Sequence, residues 1–269
     1  MISPSSSSPS QPSSPPPFPS YGPTVERVRD ATARLLGTVA AMPDEQWSAP
    51  SVLPGWTRAH LVAHLALNAE ALAAVSAALL RGATIPVYPS DAARDGDIEA
   101  LAARSPGEQR ERLSAAVVAW QAAASALGAD GTRIAGRSVE RTPGGATFPV
   151  AELPAMRWRE VEIHHADLGL ANGPADWPAD FAGYVLRLLA WDRGADHDLV
   201  LRTPAGDLLV GAGTGPVISG SAAALAWWLL GRGTGDGLTM GGPAADGPAG
   251  ELPALGPWVR RPPPPATTP

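Results

Sequence analysis

The sequence predicts a mainly α protein with a smaller α/β part: a four-helix bundle followed by a small C-terminal α/β domain. Three observations predict it. Four segments between residues 24 and 172 carry apolar residues at helical spacing, with no convincing strand alternation. After residue 173 the texture changes, and "DLVLRTPAGDLLVGAG" sets two apolar runs around a Pro-Ala-Gly-Asp turn. The 269 residues are 45% hydrophobic and 17% charged, a globular composition with length for one large domain or two modest ones.

The elements follow in order. Residues 1–23 are almost all Ser and Pro and read as a disordered tail, without the charged start and apolar run of a signal peptide. From Thr24 to Met42, Val25, Val28, Leu35, Leu36 and Val39 keep helical spacing. In "LPGWTRAH" Pro54 and Gly55 turn the chain and Thr57 caps a helix that runs to about Leu80, before Gly82. Residues 84–98 read as a Pro/Asp-rich connection. The third helix opens on "SPGEQRERL", with Ser105 as cap, Pro106 at its first position and Glu108 at its third, and continues to about Leu127. "TPGGATFP" reads as a loop, and the fourth helix spans about Leu153 to Leu170. These elements make a domain of 24–172. The smaller domain, 173–261, holds a helix from about Ala179 to Arg193, the hairpin and the helical "SGSAAALAWWLLGR". Residues 262–269 form a second disordered tail.

Composition excludes several classes. A net charge of −6 offers no basic patch, which speaks against nucleic-acid binding. No run of about 18 apolar residues escapes interruption by charge, Gly or Pro, so no transmembrane helix and no membrane partner are expected, and the protein is expected to be soluble and cytoplasmic. Cysteine is absent, so the chain has no disulfide, thiolate ligand or thiol nucleophile of its own. If sulfur takes part in the chemistry, it must come from a bound small molecule.

Four of the five histidines fall in two places, His60 with His64 and His164 with His165. On the second predicted helix Leu61, Leu65, Asn68, Leu72, Val75 and Leu79 lie within about 40° of one direction; His64 is about 60° from its centre and His60 about 100°, toward the rim. On the fourth helix, Ile163, Met156, Asp167, Glu160 and His164 share one side, while Glu162 and His165 project to the other, toward water or a neighbouring helix. Glu160 and His164, at i and i+4, reach one point beside the helix. Ionisable groups on an inward face are costly unless paired or bound to metal. A bundle interior can bring His64 to this pair, and two imidazoles with one carboxylate are a ligand set of catalytic zinc, or equally of ferrous iron. Asp167 or Glu162 could orient an imidazole from behind. The spacing alone fits a structural role as well, because isolated HxxxH and ExxxH pairs on helices are commonly structural. His197, in "ADHDLV", reads as a loop residue.

"LPGWTRAHLVAHLALNAEAL" (53–72) and "RWREVEIHHADLGL" (157–170) resemble the two signature segments of the mycothiol-dependent maleylpyruvate isomerase family. "GSAAALAWWLLGR" (220–232) and "LPALGPW" (252–258) resemble that family's second domain more weakly. The resemblance covers roughly 24–259. It implies a DinB-like metal-binding bundle, a divalent ion, usually zinc, held by His64, Glu160 and His164, and an arginine of the second domain that matters for activity, best matched by Arg232. It also implies mycothiol, the low-molecular-weight thiol of actinobacteria. Its thiolate would add to the cis double bond of maleylpyruvate, an intermediate of aromatic-compound degradation; rotation and expulsion of the thiol would leave fumarylpyruvate. An arginine suits a substrate carboxylate or a developing enolate, and His60 or Asp167 is a candidate to transfer the proton.

The partners expected are therefore a small-molecule substrate and a low-molecular-weight thiol; oligomeric state stays open. Two other readings stand beside the isomerase: a mycothiol S-transferase acting on electrophiles in detoxification, and a non-catalytic DinB-like ligand-binding protein. Retention of all three candidate ligands argues against the last, since a purely structural bundle gains by replacing buried ionisable groups with apolar ones.

Overall fold

The computed structural model describes residues 16–241, 251–256, 258 and 260. The N-terminal Ser/Pro tail lies mostly outside the described residues, and the C-terminal tail wholly so. The chain divides into one compact unit of Phe18–Gly173 and a second that begins at Pro174.

The first unit is built on four long helices, α1 (Tyr21–Ala41), α2 (Arg58–Leu80), α4 (Pro106–Ala129) and α5 (Leu153–Asp167), with a shorter α3 (Asp91–Ala102). Helix α1 starts at Tyr21, inside the stretch assigned to the tail, and buries Val25, Val28, Ala31, Thr32, Leu35 and Val39 along one stripe. Helix α2 packs most extensively on α4, and α1 packs on α5. Leu61, Leu65, Leu72, Val75 and Leu79 of α2 are essentially inaccessible, as are Leu113, Trp120 and Leu127 of α4. Among the described residues α2 alone is long and apolar enough to cross a membrane, yet 72% of its apolar window is buried inside the protein. It is the core helix of the bundle.

Local chemistry sets the helix starts. Ser105 Oγ accepts from the Glu108 N–H, while Glu108 Oε2 accepts from the Ser105 N–H at 3.0 Å, the reciprocal cap expected from "SPGE". At α2, Thr57 is the cap and His60 stands at the third position, its Nδ1 accepting the Thr57 N–H at 3.2 Å. Gly82 (φ 81°) and Gly169 (φ 63°) follow α2 and α5 in the left-handed conformation that suits glycine at a helix end.

Two further features differ from expectation. Part of the 84–98 connection is helical: Ser90 Oγ caps α3 by accepting from Ala93 N–H at 3.0 Å, and only Ile98 and Leu101 of this helix are buried. The segment reads as a connection because its polar residues hide a short stripe. The "TPGGATFP" stretch is the turn and second strand of a small antiparallel hairpin, β1 (Ser138–Glu140) with β2 (Thr147–Pro149). Three-residue strands are too short to show alternation.

The second unit holds α6 (Ala179–Arg193), β3 (Leu199–Thr203), β4 (Gly206–Val210), β5 (Val217–Ser219), α7 (Ala222–Leu229) and β6 (Thr239–Gly241). The expected hairpin is β3–β4, paired from Leu199↔Val210 to Thr203↔Gly206. The sheet order is β4-β3-β5-β6, with β3 and β5 parallel. Leu201, Ile218, Leu225 and Leu229 form part of its core. The molecule is thus mainly helical with a small mixed sheet, the fold class expected.

Candidate metal centre

Helices α2 and α5 bring together the three candidate ligands. His64, Glu160 and His164 each offer one ligand atom, and these atoms lie within 4.8 Å of one another. Glu160 Oε2 is the hub, 2.8 Å from His64 Nε2 and 3.2 Å from His164 Nε2. The two rings meet edge to face, with centroids 4.9 Å apart. His64 is buried, whereas Glu160 keeps about a third of its side chain open (31%). The cluster therefore has a dry inner side and an open outer one.

Both imidazoles are held from behind. His164 Nδ1 stands 2.9 Å from Asp167 Oδ2, one turn along α5, and the Asp167 side chain is fully buried. Behind His64, Arg94 Nη2 of α3 reaches Nδ1 at 3.3 Å, and the Trp56 ring packs edge-on at 5.7 Å between centroids. Below the cluster Arg157 is buried; its Nη1 donates to Leu65 O at 2.9 Å and to Asn68 Oδ1 at 2.8 Å. Asn68 Nδ2 in turn donates to the Tyr88 hydroxyl at 3.1 Å.

These contacts set the charges. Burial pushes the Glu160 carboxyl up, but the facing imidazoles, His64 foremost, outweigh it and hold the group well below the usual carboxylate range. Burial pushes His164 down, yet its bonds to Asp167 and Glu160 dominate and raise it to about 9. His64 goes the other way: burial lowers it, Arg94 and the second imidazole add to that, and Glu160 only partly compensates. Tyr88 is raised, by burial first and by the Glu160 charge second.

The other sequence candidates lie elsewhere. His60 is outside the cluster: its Nδ1 faces Thr57 and its Nε2 lies 3.2 Å from Glu99 Oε2, so the ring completes the α2 cap. Arg232 belongs to the second unit, where Nη1 donates to Leu230 O at 3.1 Å. His197 sits in the irregular link between α6 and β3, as expected. Glu162 and His165 do not face water. Glu162 is 2% exposed and receives Arg34 Nη2 at 2.6 Å; His165 is 1% exposed, its Nε2 2.7 Å from Thr38 Oγ1. Both pack on α1, so α5 is buried on two sides.

Sequence reasoning missed Arg94, Tyr88 and Arg157 beside the cluster. For Arg94 a signal existed: Ser90 before Asp91, then Ile98 and Leu101 three apart, is a cap followed by a short apolar stripe.

Residues 28–169 match the family described as the mycothiol maleylpyruvate isomerase N-terminal domain. Two solved structures are similar across nearly their whole length. One is a crystal structure of the mycothiol-dependent maleylpyruvate isomerase, 28% identical, with a TM-score of 0.77, covering 88% of this chain and 96% of that one. The other, a histidine-to-alanine mutant of the mycothiol-dependent maleylpyruvate isomerase, is 27% identical with the same TM-score and the same coverage. No curated protein matches the chain in sequence.

Proposed function

The chain belongs to the family of the mycothiol maleylpyruvate isomerase N-terminal domain, and on that premise we propose that it is a zinc-dependent, mycothiol-using enzyme that converts maleylpyruvate to fumarylpyruvate. The observation that carries the reading is the convergence of His64, Glu160 and His164 within 4.8 Å. Their chemistry fits a divalent cation. Two imidazole nitrogens and one carboxylate oxygen leave a fourth, open position around zinc, and Asp167 behind His164 is the outer partner that metal-binding histidines ordinarily have. Ferrous iron accepts the same donors, and metal analysis separates the two.

When bound, the ion would supply a positive centre at which a thiol ionises near neutral pH. The chain has no cysteine, so the thiol belongs to a small molecule, which we take to be mycothiol. The protein's own residues do the rest. Asp167 Oδ2 would accept a hydrogen bond from His164 Nδ1–H, which leaves Nε2 free to coordinate. Glu160 brings the negative charge that offsets the cation. Trp56, edge-on to His64, walls the ring from one side. We assign Arg232 to a substrate carboxylate and His60, whose Nε2 lies 3.2 Å from Glu99 Oε2, to proton transfer. The setting we assign is cytoplasmic degradation of aromatic compounds.

The test is an ultraviolet assay of maleylpyruvate with and without mycothiol, on protein of measured metal content. Thiol-dependent cis-to-trans conversion by protein holding about one zinc per chain is expected. Net adduct formation without trans product would assign an S-transferase instead. Protein that holds no stoichiometric metal would overturn both enzyme readings.

A further inference from the structure

The two imidazoles of the cluster have unlike surroundings. Each points Nε2 at Glu160. An imidazole that coordinates through Nε2 while neutral carries its proton on Nδ1, which then needs an acceptor. His164 has one, Asp167 Oδ2 at 2.9 Å. His64 does not: its Nδ1 faces Arg94 Nη2 at 3.3 Å, and a guanidinium can only donate. With a cation on His64 Nε2, two donors would oppose each other, so the Arg94 contact is compatible only with the metal-free ring.

The other contacts of Arg94 are to Asp95 and Tyr88. Its Nη1 lies 2.6 Å from Asp95 Oδ1, but the Asp95 side chain is 64% exposed, and such surface pairs contribute little. Its Cζ stands 5.8 Å from the Tyr88 ring centroid, and a side-chain hydrogen bond also joins it to Tyr88. The second arginine on that ring, Arg141, is occupied by Asp91. Arg94 is itself only partly buried, with a fifth of its side chain (20%) in the open.

We propose that metal loading releases Arg94 from His64 and makes it the anchor for a carboxylate of the substrate, so that α3 sets the preference for anionic substrates. A planar guanidinium suits this, because it engages a carboxylate through two parallel hydrogen bonds. The proposal rests on His64, Glu160 and His164 being the metal ligands, and it extends the isomerase reading to the substrate's charged end. Arg94 would take one carboxylate of a dianion.

The experiment measures binding of maleate, a stable cis-dicarboxylate, by calorimetry to the zinc-loaded and the chelator-stripped full chain, for wild type, Arg94→Met and Arg94→Lys. In zinc-loaded protein Arg94→Met is expected to weaken maleate at least tenfold, and Arg94→Lys to restore part of the loss. In stripped protein wild type and Arg94→Met are expected to agree within about twofold, because Arg94 is engaged on His64. Zinc affinity of Arg94→Met is expected to equal or exceed that of wild type, since a facing donor is removed; a merely structural role would lower it. The proposal is overturned if zinc-loaded Arg94→Met binds maleate like wild type, if the same loss appears without zinc, or if its zinc affinity falls. Maleate binding that follows this pattern in a protein unable to isomerise maleylpyruvate with mycothiol would support the carboxylate anchor and sink the reaction assignment instead.

Discussion

At the scale of the residue, the cluster was legible because two independent helical phases selected it. His64 lies on the inward side of α2 and Glu160 with His164 on one side of α5, so the sequence could pair them across a gap of nearly a hundred residues. The charged neighbours on the other side of α5 were not legible. A polar face looks the same whether it meets water or a helix carrying Arg34 and Thr38. The ligand assignment predicts that His64→Ala loses stoichiometric metal while Glu162→Gln keeps it, as read by elemental analysis. Asp167→Asn is expected to weaken metal affinity about 10–100-fold, the usual scale for an outer partner of a ligating histidine, as measured by competition with a chelator. The pH dependence has a definite sign. His164 in the metal-free protein is raised from 6.5 to about 9, so its contribution to stability is fully present below pH 6.5 and lost as the pH rises through 9. Metal needs the neutral ring, so binding at pH 7.5 should release about one proton, and affinity should drop as the pH falls. Calorimetry in two buffers of different ionisation enthalpy counts that proton.

At the scale of the element, long helices announced themselves and short pieces did not. Helix α4 shows both its reciprocal cap and its apolar stripe, so "SPGEQRERL" identified it. Helix α3 buries only Ile98 and Leu101, and its composition reads as linker. The hairpin β1–β2 has three residues a side, below the length at which alternation declares itself. This difference in burial predicts a difference in cost. Trp120→Ala, in the middle of α4 and 2% exposed, should destabilise the bundle by about 3–5 kcal/mol in a denaturant melt. Leu101→Ala, at 5% exposure on a helix that packs along one side of α2, should cost less than that global loss. Because α3 carries Arg94, its looser anchoring has a functional readout: Leu101→Ala should weaken maleate binding to zinc-loaded protein while leaving zinc content intact.

At the scale of the whole molecule, the two units carry separate duties that one linkage experiment separates. All three proposed ligands lie between residues 64 and 164, within the unit of Phe18–Gly173, and none is contributed from Pro174 onward. A ligand that binds only the folded state stabilises it by roughly 4 kcal/mol at a free concentration a thousandfold above its dissociation constant. Zinc should therefore raise the melting temperature of the first unit, and a chelator should reverse the rise. His64→Ala should abolish this zinc-dependent shift even where it leaves the metal-free melt unchanged. Leu225→Ala, in the core of the second unit and fully buried there, should lower stability by about 2–5 kcal/mol through the cavity it leaves, yet the zinc-dependent shift of the first unit should persist. Scanning calorimetry of the two variants, each with zinc and with chelator, decides the matter. A zinc shift lost in Leu225→Ala would place a metal ligand, or its essential support, outside the bundle and overturn the three-residue site.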